Sequence, residues 1–205
     1  MYIESKSAGG SSLIPMETKQ LNNRRVFIQG EITMDSACEF ANAILFLNDE
    51  SETEGIDVFI TSPGGDVQAG LMMYDVIQST GAPIRMFCRG AAYSMAALLF
   101  ASGRHGRYML PNSTLMLHEP LLGNAVRGNA SSIRTISEEL LSVSRQLNMI
   151  LAQHTGKSLE EIEEACSYDH YFSSMECIEF GLADGVVDYM QMKGKGKIWT
   201  STSQP

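Results

Sequence analysis

The chain has 205 residues, 44% of them apolar and 19% charged, which predicts one globular domain large enough to bury a substantial core. A formal net charge of -9 argues against a nucleic-acid binder, which normally presents a basic surface to phosphate. No apolar run reaches the roughly 18 residues of a membrane span, and Met1–Gly10 lacks the apolar core of a secretory signal, so we expect a cytoplasmic protein that contacts no membrane.

Both ends of the chain are polar and rich in small residues. Residues 1–12 include paired glycines and serines, which predicts a flexible leader or propeptide, and residues 191–205 predict a flexible tail. We therefore expect the folded domain to span residues 13–190. The four cysteines form no C-x-x-C pair, so they predict reduced, buried thiols and neither a zinc site nor a disulfide framework.

Strand and helix patterns alternate through the first half of the chain. Strands are predicted at Arg25–Ile28, Val58–Ile60 and Ile84–Cys88, with helices at about 35–47 and 69–78 between them. An alternation of this kind requires right-handed crossovers. It predicts an α/β fold with a mostly parallel sheet.

Three further helices are predicted in the second half. Ser158 with Glu161, and Ser173 with Glu176, form Ser-x-x-Glu capping boxes, which place helices at 159–166 and 174–180. A longer pattern, about 130–154, carries apolar residues at alternating spacings of three and four. This heptad seam faces either the core of the same chain or the helix of a partner.

Two turns carry the chemistry. Ser62-Pro63-Gly64-Gly65 follows the second strand and can direct the Gly65 amide outward. Taken alone, such a motif usually only reverses the chain and has no catalytic role. Ser94 lies among small residues where the third strand gives way to a helix, either as a helix cap or as a nucleophile. In the second case the amides of Gly65 and Met95 would converge beside its hydroxyl as an oxyanion hole.

A serine nucleophile needs a base and an acid that orients the base. His118 ends the strand-like run Leu115–Leu117 and precedes a chain-turning proline, so it can point into a cleft, although a lone histidine is more often a half-buried structural residue. Spacing does not select the carboxylate, since triad members meet in space and not in sequence. The candidates are Asp66, Asp169, Asp184 and Asp188.

In order and spacing, four stretches of the chain resemble the ClpP family (peptidase family S14), the proteolytic subunits of the Clp protease. They are Ser62–Gly65 with Ala69-Gly70 and Tyr74-Asp75; Gly90–Ala97; Leu110–Ser113 leading to His118–Leu121; and His154–Gly156 through Asp169, Phe172-Ser173 and Glu179–Asp184.

The resemblance implies a serine endopeptidase with Ser94 as nucleophile, His118 as base, Asp169 as orienting acid, and Gly65 and Met95 as oxyanion donors. It also implies a crotonase-like fold of repeated β-β-α units, with a protruding handle helix at about 122–155. The expected assembly is two stacked heptameric rings around a chamber that admits peptides and unfolded proteins. No cofactor or metal is expected in this chain, because ATP is used only by a partner AAA+ unfoldase.

Several positions depart from the family pattern. The segment Met16–Arg24 is short where relatives carry axial loops that contact the unfoldase, which argues against an ordinary unfoldase partnership. Glu119 and His170 replace a usual Gln and Arg, and His170 suggests a pH-sensitive contact between rings. Tyr93 replaces a small residue, and its ring either narrows the cleft or packs beneath it.

Three other functions fit parts of this pattern. A crotonase-like acyl-CoA enzyme would share the paired amides but would need no Ser-His-Asp set. A weakly active or structural ring subunit would depend on a catalytic ClpP paralogue. A processing peptidase of the same fold would work without an ATPase.

Overall fold

A two-stranded hairpin and a short helix precede the main sheet. In the computed structural model, which describes residues 1–7, 10–121 and 128–188, β1 (Tyr2–Ser7) pairs antiparallel with β2 (Gly10–Pro15), and α1 (Met16–Asn22) follows. Apolar residues at both strand ends, where Ile3 pairs with Ile14, favour this pairing over the flexible leader predicted for residues 1–12.

Within the segment Met16–Arg24, which departs from the family pattern, the chain forms α1. The argument that this segment is too short for an ordinary unfoldase partnership stays a prediction. Removal of residues 1–12 as a propeptide stays a prediction.

The centre of the fold is the predicted parallel sheet. The chain runs through β3 (Arg25–Gln29), α2 (Met34–Glu50), β4 (Ile56–Ser62), α3 (Val67–Ser79) and β5 (Ile84–Tyr93). The three strands are parallel and adjacent, as the alternation of patterns predicted. The mixed α/β fold is confirmed, and β5 is longer than expected because it continues to the residue before Ser94.

Three short elements complete the part of the sheet beside Ser94. α4 (Met95–Ala101) follows β5 directly, and it leads to β6 (Arg107–Met109) and β7 (Thr114–Leu117). β6 pairs with the middle of β5, whereas β7 pairs in parallel with its last residues, Ala91–Tyr93. The carboxyl ends of β5 and β7 therefore lie side by side.

The last elements return the chain to the side of the sheet that contains β6 and β7. They are α5 (Ala130–Thr155), α6 (Leu159–Cys166), β8 (His170–Ser173), α7 (Ser174–Phe180) and β9 (Gly185–Val186). Both capping boxes form as predicted, at Ser158 and Ser173, and the two helices have the predicted bounds. β8 runs antiparallel to β7, and β9 joins the sheet at β6.

The heptad seam of α5 does not lie on the core along its whole length. Ile133, the first residue of the seam, is 49% exposed, and Leu141, which lies beside the seam, is 67% exposed, so the first half of the helix projects from the domain. Only the second half packs inward, where the seam residues Leu147 and Ile150 are partly buried against the core beside Leu151. The sequence allowed this seam to face either the core of the same chain or the helix of a partner, and in the first half of α5 the seam does not face the core.

Residues 122–127 of the predicted handle and residues 191–205 of the predicted tail lie outside the described residues.

Cys38 is a correction to the prediction of four buried thiols. Cys88, Cys166 and Cys177 are buried, but Cys38 is exposed on α2. The buried face of this helix includes its neighbours Ala37 and Phe40 instead.

Among the described residues, no helix is both long and apolar enough to cross a membrane.

His154, in the last turn of α5, is a half-buried histidine that we expect to make stability depend on pH. Its Nε2 lies 3.2 Å from the Tyr74 hydroxyl. Burial, followed by the positive charges of Arg107 and Arg104, lowers the pKa of His154 below its usual value. The fold therefore favours the neutral imidazole. Its contribution to stability is present above the unfolded pKa of about 6.5 and is lost as the pH falls through the lower folded value.

We expect the free energy of unfolding to fall more steeply between pH 7.5 and pH 5 in the native chain than in His154→Gln. Urea denaturation of both proteins at several pH values measures this difference. Parallel pH profiles for the two proteins would contradict the assignment.

Candidate active site

Ser94 occupies a strained junction between β5 and α4. Its φ is 54° and its ψ is -125°, and Arg24 is the only other non-glycine residue of the described part with a positive φ. Strain of this kind persists where surrounding contacts hold it, and here the Ser94 amide donates to the Met116 carbonyl at 2.8 Å. The side chain makes no capping hydrogen bond. The hydroxyl is therefore free of the structural role that the sequence left open for it.

His118 lies directly beside this hydroxyl. Its Nε2 is 2.8 Å from Ser94 Oγ, and 15% of its side chain is exposed. The contact follows from topology, because Tyr93 on β5 pairs with Met116 on β7 and each strand ends one residue before the reacting group. An imidazole nitrogen at this distance can accept the hydroxyl proton.

Asp169 is the candidate carboxylate that faces the other imidazole nitrogen. Its Oδ1 is 3.4 Å from His118 Nδ1, an ion-pair distance somewhat longer than a direct charge-assisted hydrogen bond of about 2.8 Å. The pairing of Leu117 with His170 across β7 and β8 brings the two side chains together. The Asp169 carboxylate is 63% exposed, so solvent reaches this end of the site.

Two of the other candidate carboxylates serve structural purposes. Asp66 caps α3 by accepting a hydrogen bond from the Ala69 amide at 2.8 Å. Asp184 pairs with Arg107 at 2.6 Å, and the same guanidinium donates to the carbonyls of Ala101, His154 and Gly181. Asp188 follows β9, which pairs with β6.

The turn after β4 lies against the Ser94 junction. A Cβ at Gly64 would lie 2.7 Å from the Tyr93 carbonyl oxygen, 2.8 Å from Ser94 Cβ and 3.1 Å from the Met95 nitrogen. Gly64 has a φ of 93°, so glycine is needed both for the backbone conformation and for the close approach.

Two amides beside this contact are available to a ligand. The carbonyl of Gly64 and the amide of Asp66 bond to Ile32, so by alternation along an extended chain the Gly65 amide points away from Ile32. Met95 is the first residue of α4, and its amide has no acceptor within the helix. The Gly65 and Met95 amides therefore both adjoin the contact between Gly64 and the Ser94 junction.

A small pocket of about 30 Å³ opens beside Ser94 and His118. Most of its other lining residues are apolar: Val67, Met95, Leu98, Leu117, Pro120, Leu147, Leu151 and Cys166. Asn148 is the exception, and sequence reasoning missed it. The only available signal was a polar residue three positions before Leu151 on the inward face of α5.

The three unusual residues noted in the sequence lie close to the site. Tyr93 packs, because its hydroxyl is 3.0 Å from Thr114 Oγ1 and its ring meets the edge of Tyr171 at 5.6 Å. His170 stacks between Tyr168 and Phe172, with ring centroids at 5.4 and 4.1 Å. Glu119 is exposed.

Comparison with known proteins covers the whole of this arrangement. A family model described as Clp protease matches residues 9–190. The matched range contains the turn after β4, the Ser94 junction and the paired strands β7 and β8.

Proposed function

The chain belongs to the Clp protease family, which indicates serine-type peptidase activity, and from this premise we propose that it is an endopeptidase with Ser94 as nucleophile, His118 as base and Asp169 as orienting acid. The observation that carries the proposal is the 2.8 Å approach of His118 Nε2 to a Ser94 hydroxyl that has no structural bond. A serine is a weak nucleophile unless an adjacent base activates it in this way.

The proposed reaction proceeds through an acyl-enzyme. Ser94 Oγ attacks the peptide carbonyl while its proton passes to His118 Nε2. The imidazolium then gives this proton to the leaving amine as the C–N bond breaks, and a water molecule, activated by the same imidazole, hydrolyses the ester. Asp169 stays ionised, holds the Nδ1–H tautomer and stabilises the imidazolium.

The Gly65 and Met95 amides are proposed to stabilise the tetrahedral intermediates. Negative charge develops on the substrate oxygen as Ser94 attacks, and fixed N–H donors act on that charge without reorganisation. One such donor contributes about 3 to 4 kcal/mol to transition-state stabilisation. The contact of Gly64 with the Ser94 junction supports this role, because it ties the two amides to the nucleophile.

We further propose that the enzyme works as a homo-oligomer of two stacked heptameric rings. The exposed apolar residues in the first half of α5, such as Ile133 and Leu141, support a helix-to-helix contact between rings. Substrates would be peptides and unfolded proteins admitted to the enclosed chamber. An AAA+ unfoldase or a ClpP paralogue would be the partner, with ATP used by the unfoldase alone.

The proposal is tested by labelling with a fluorophosphonate probe, located by mass spectrometry. We expect the probe to modify Ser94, and Asp169→Asn to slow labelling and peptide cleavage by about 10²- to 10⁴-fold, because the imidazole tautomer is no longer held. Asp49→Asn, an exposed change of the same kind on α2, should leave both rates at the native level.

Labelling at another residue would contradict the proposal. Labelling of Ser94 without peptide turnover would favour the structural ring subunit that depends on a catalytic paralogue.

A further inference from the structure

Asn148 is a buried polar residue in the wall of the pocket beside Ser94. It is 6% exposed, and with Leu147 and Leu151 it forms the part of α5 that turns toward the domain. If packing alone determined this position, leucine would fill it better and would favour the helix more strongly than asparagine. The amide therefore needs another explanation.

The Asn148 side chain has no hydrogen-bond partner in the described part of the chain, yet its polar atoms are not sealed from solvent. Asn148 lines the pocket that also borders Ser94 and His118. A buried amide is costly unless a partner satisfies it. In the free protein the pocket, at about 30 Å³, has room for one or two water molecules that could do so.

A peptide bound for cleavage would displace this water. The residue whose carbonyl carbon is attacked has its Cα bonded directly to that carbon, so its side chain starts closer to Ser94 Oγ than any other. It is the natural occupant of a pocket lined by Ser94 and by the Met95 oxyanion donor. An apolar occupant would leave the Asn148 amide without a partner, whereas an amide or hydroxyl occupant would satisfy it.

We propose that Asn148 is a specificity-determining residue that hydrogen-bonds polar side chains before the scissile bond. This inference rests on the proposed peptidase function. The apolar residues of the pocket contact the aliphatic part of the substrate side chain. Asn148 hydrogen-bonds the polar end, so a polar side chain is disfavoured less than it would be in a fully apolar pocket. The enzyme therefore cleaves after asparagine and glutamine as well as after their apolar counterparts.

Two isosteric substrate pairs test this role. One pair of fluorogenic peptides carries Leu or Asn before the scissile bond, and the other pair carries Met or Gln. The peptides are otherwise identical, so the two pairs test two side-chain lengths. In Asn148→Leu we expect the kcat/KM ratio of the apolar to the polar member to rise roughly 5- to 100-fold in at least one pair. Asn148→Ala, which removes the amide without adding bulk, should shift the ratio in the same direction if the leucine variant does not fold.

Asn42→Leu makes the same change on the exposed surface of α2 and should keep the native ratio. If the ratios in both pairs stay at the native value in a folded Asn148 variant, the specificity role is wrong although the peptidase assignment stands. A uniform loss with all four substrates likewise indicates a structural residue. If the native chain cleaves none of them and Ser94 is not labelled by the fluorophosphonate probe, the proposed function itself fails.

Discussion

Replacing Ser94 with alanine is expected to lower kcat for peptide cleavage by about 10⁶-fold, the loss typical of a serine nucleophile. Alanine removes Oγ, the atom that attacks the carbonyl and lies 2.8 Å from His118 Nε2. Both residues carry a Cβ, so the strain of the positive φ at this position is unchanged and the fold should be retained. Steady-state hydrolysis of a fluorogenic peptide, with a thermal melt of each protein, measures both effects.

Ser142→Ala is the matched control, because Ser142 is exposed on α5. It should hydrolyse the peptide at the native rate. Retention of more than a few per cent of native turnover by a purified Ser94→Ala protein would mean that another residue is the nucleophile. A residual rate above that of water is expected, since donors and binding residues remain in place.

Replacing Gly64 with alanine is expected to lower kcat by about 10²- to 10³-fold, as the loss of an oxyanion donor does. The added methyl group would meet the Tyr93 carbonyl oxygen at 2.7 Å and Ser94 Cβ at 2.8 Å, so the turn must move away from the nucleophile. That movement carries the adjacent Gly65 amide out of position. The strained φ of 93° adds a stability loss of about 1 to 3 kcal/mol.

Gly30→Ala separates these two effects. Gly30 also has a positive φ, 74°, but a Cβ there would meet no atom within 4 Å. Its replacement should lower the melting temperature while kcat stays near the native value. A Gly64→Ala enzyme with native kcat would show that this turn does not position an oxyanion donor.

Local signals were sufficient where a short segment determines its own structure. Both Ser-x-x-Glu capping boxes form, and the helices that they start have the predicted bounds, since every partner lies within three residues. The alternation of strands and helices from Arg25 to Cys88 likewise predicted the parallel sheet. Membership of the Clp protease family agrees with the motifs around Ser94 and His118.

Other features depended on contacts that no local pattern contains. The exposure of Cys38 depends on which face of α2 meets the sheet, and the hairpin at Tyr2–Pro15 depends on cross-strand pairing. The heptad seam of α5 has the same sequence signature whether it meets its own core or a partner. Only the exposure of Ile133 distinguishes the two.

By itself the sequence predicted the parallel strands of the first half and the capped helices of the second half, because the hydrophobic period and the helix caps act over a few positions. The type of chemistry followed from the resemblance of its motifs to a known family. Tertiary structure decided which groups meet. It brought His118 to Ser94 through the pairing of β5 with β7, and the pairing of β7 with β8 placed Asp169, the carboxylate that the family resemblance implied, 3.4 Å from His118 Nδ1. It also turned Asn148 into the pocket. These are contacts between residues far apart in the chain, and their geometry depends on strand order and register, which spacing along the sequence does not encode.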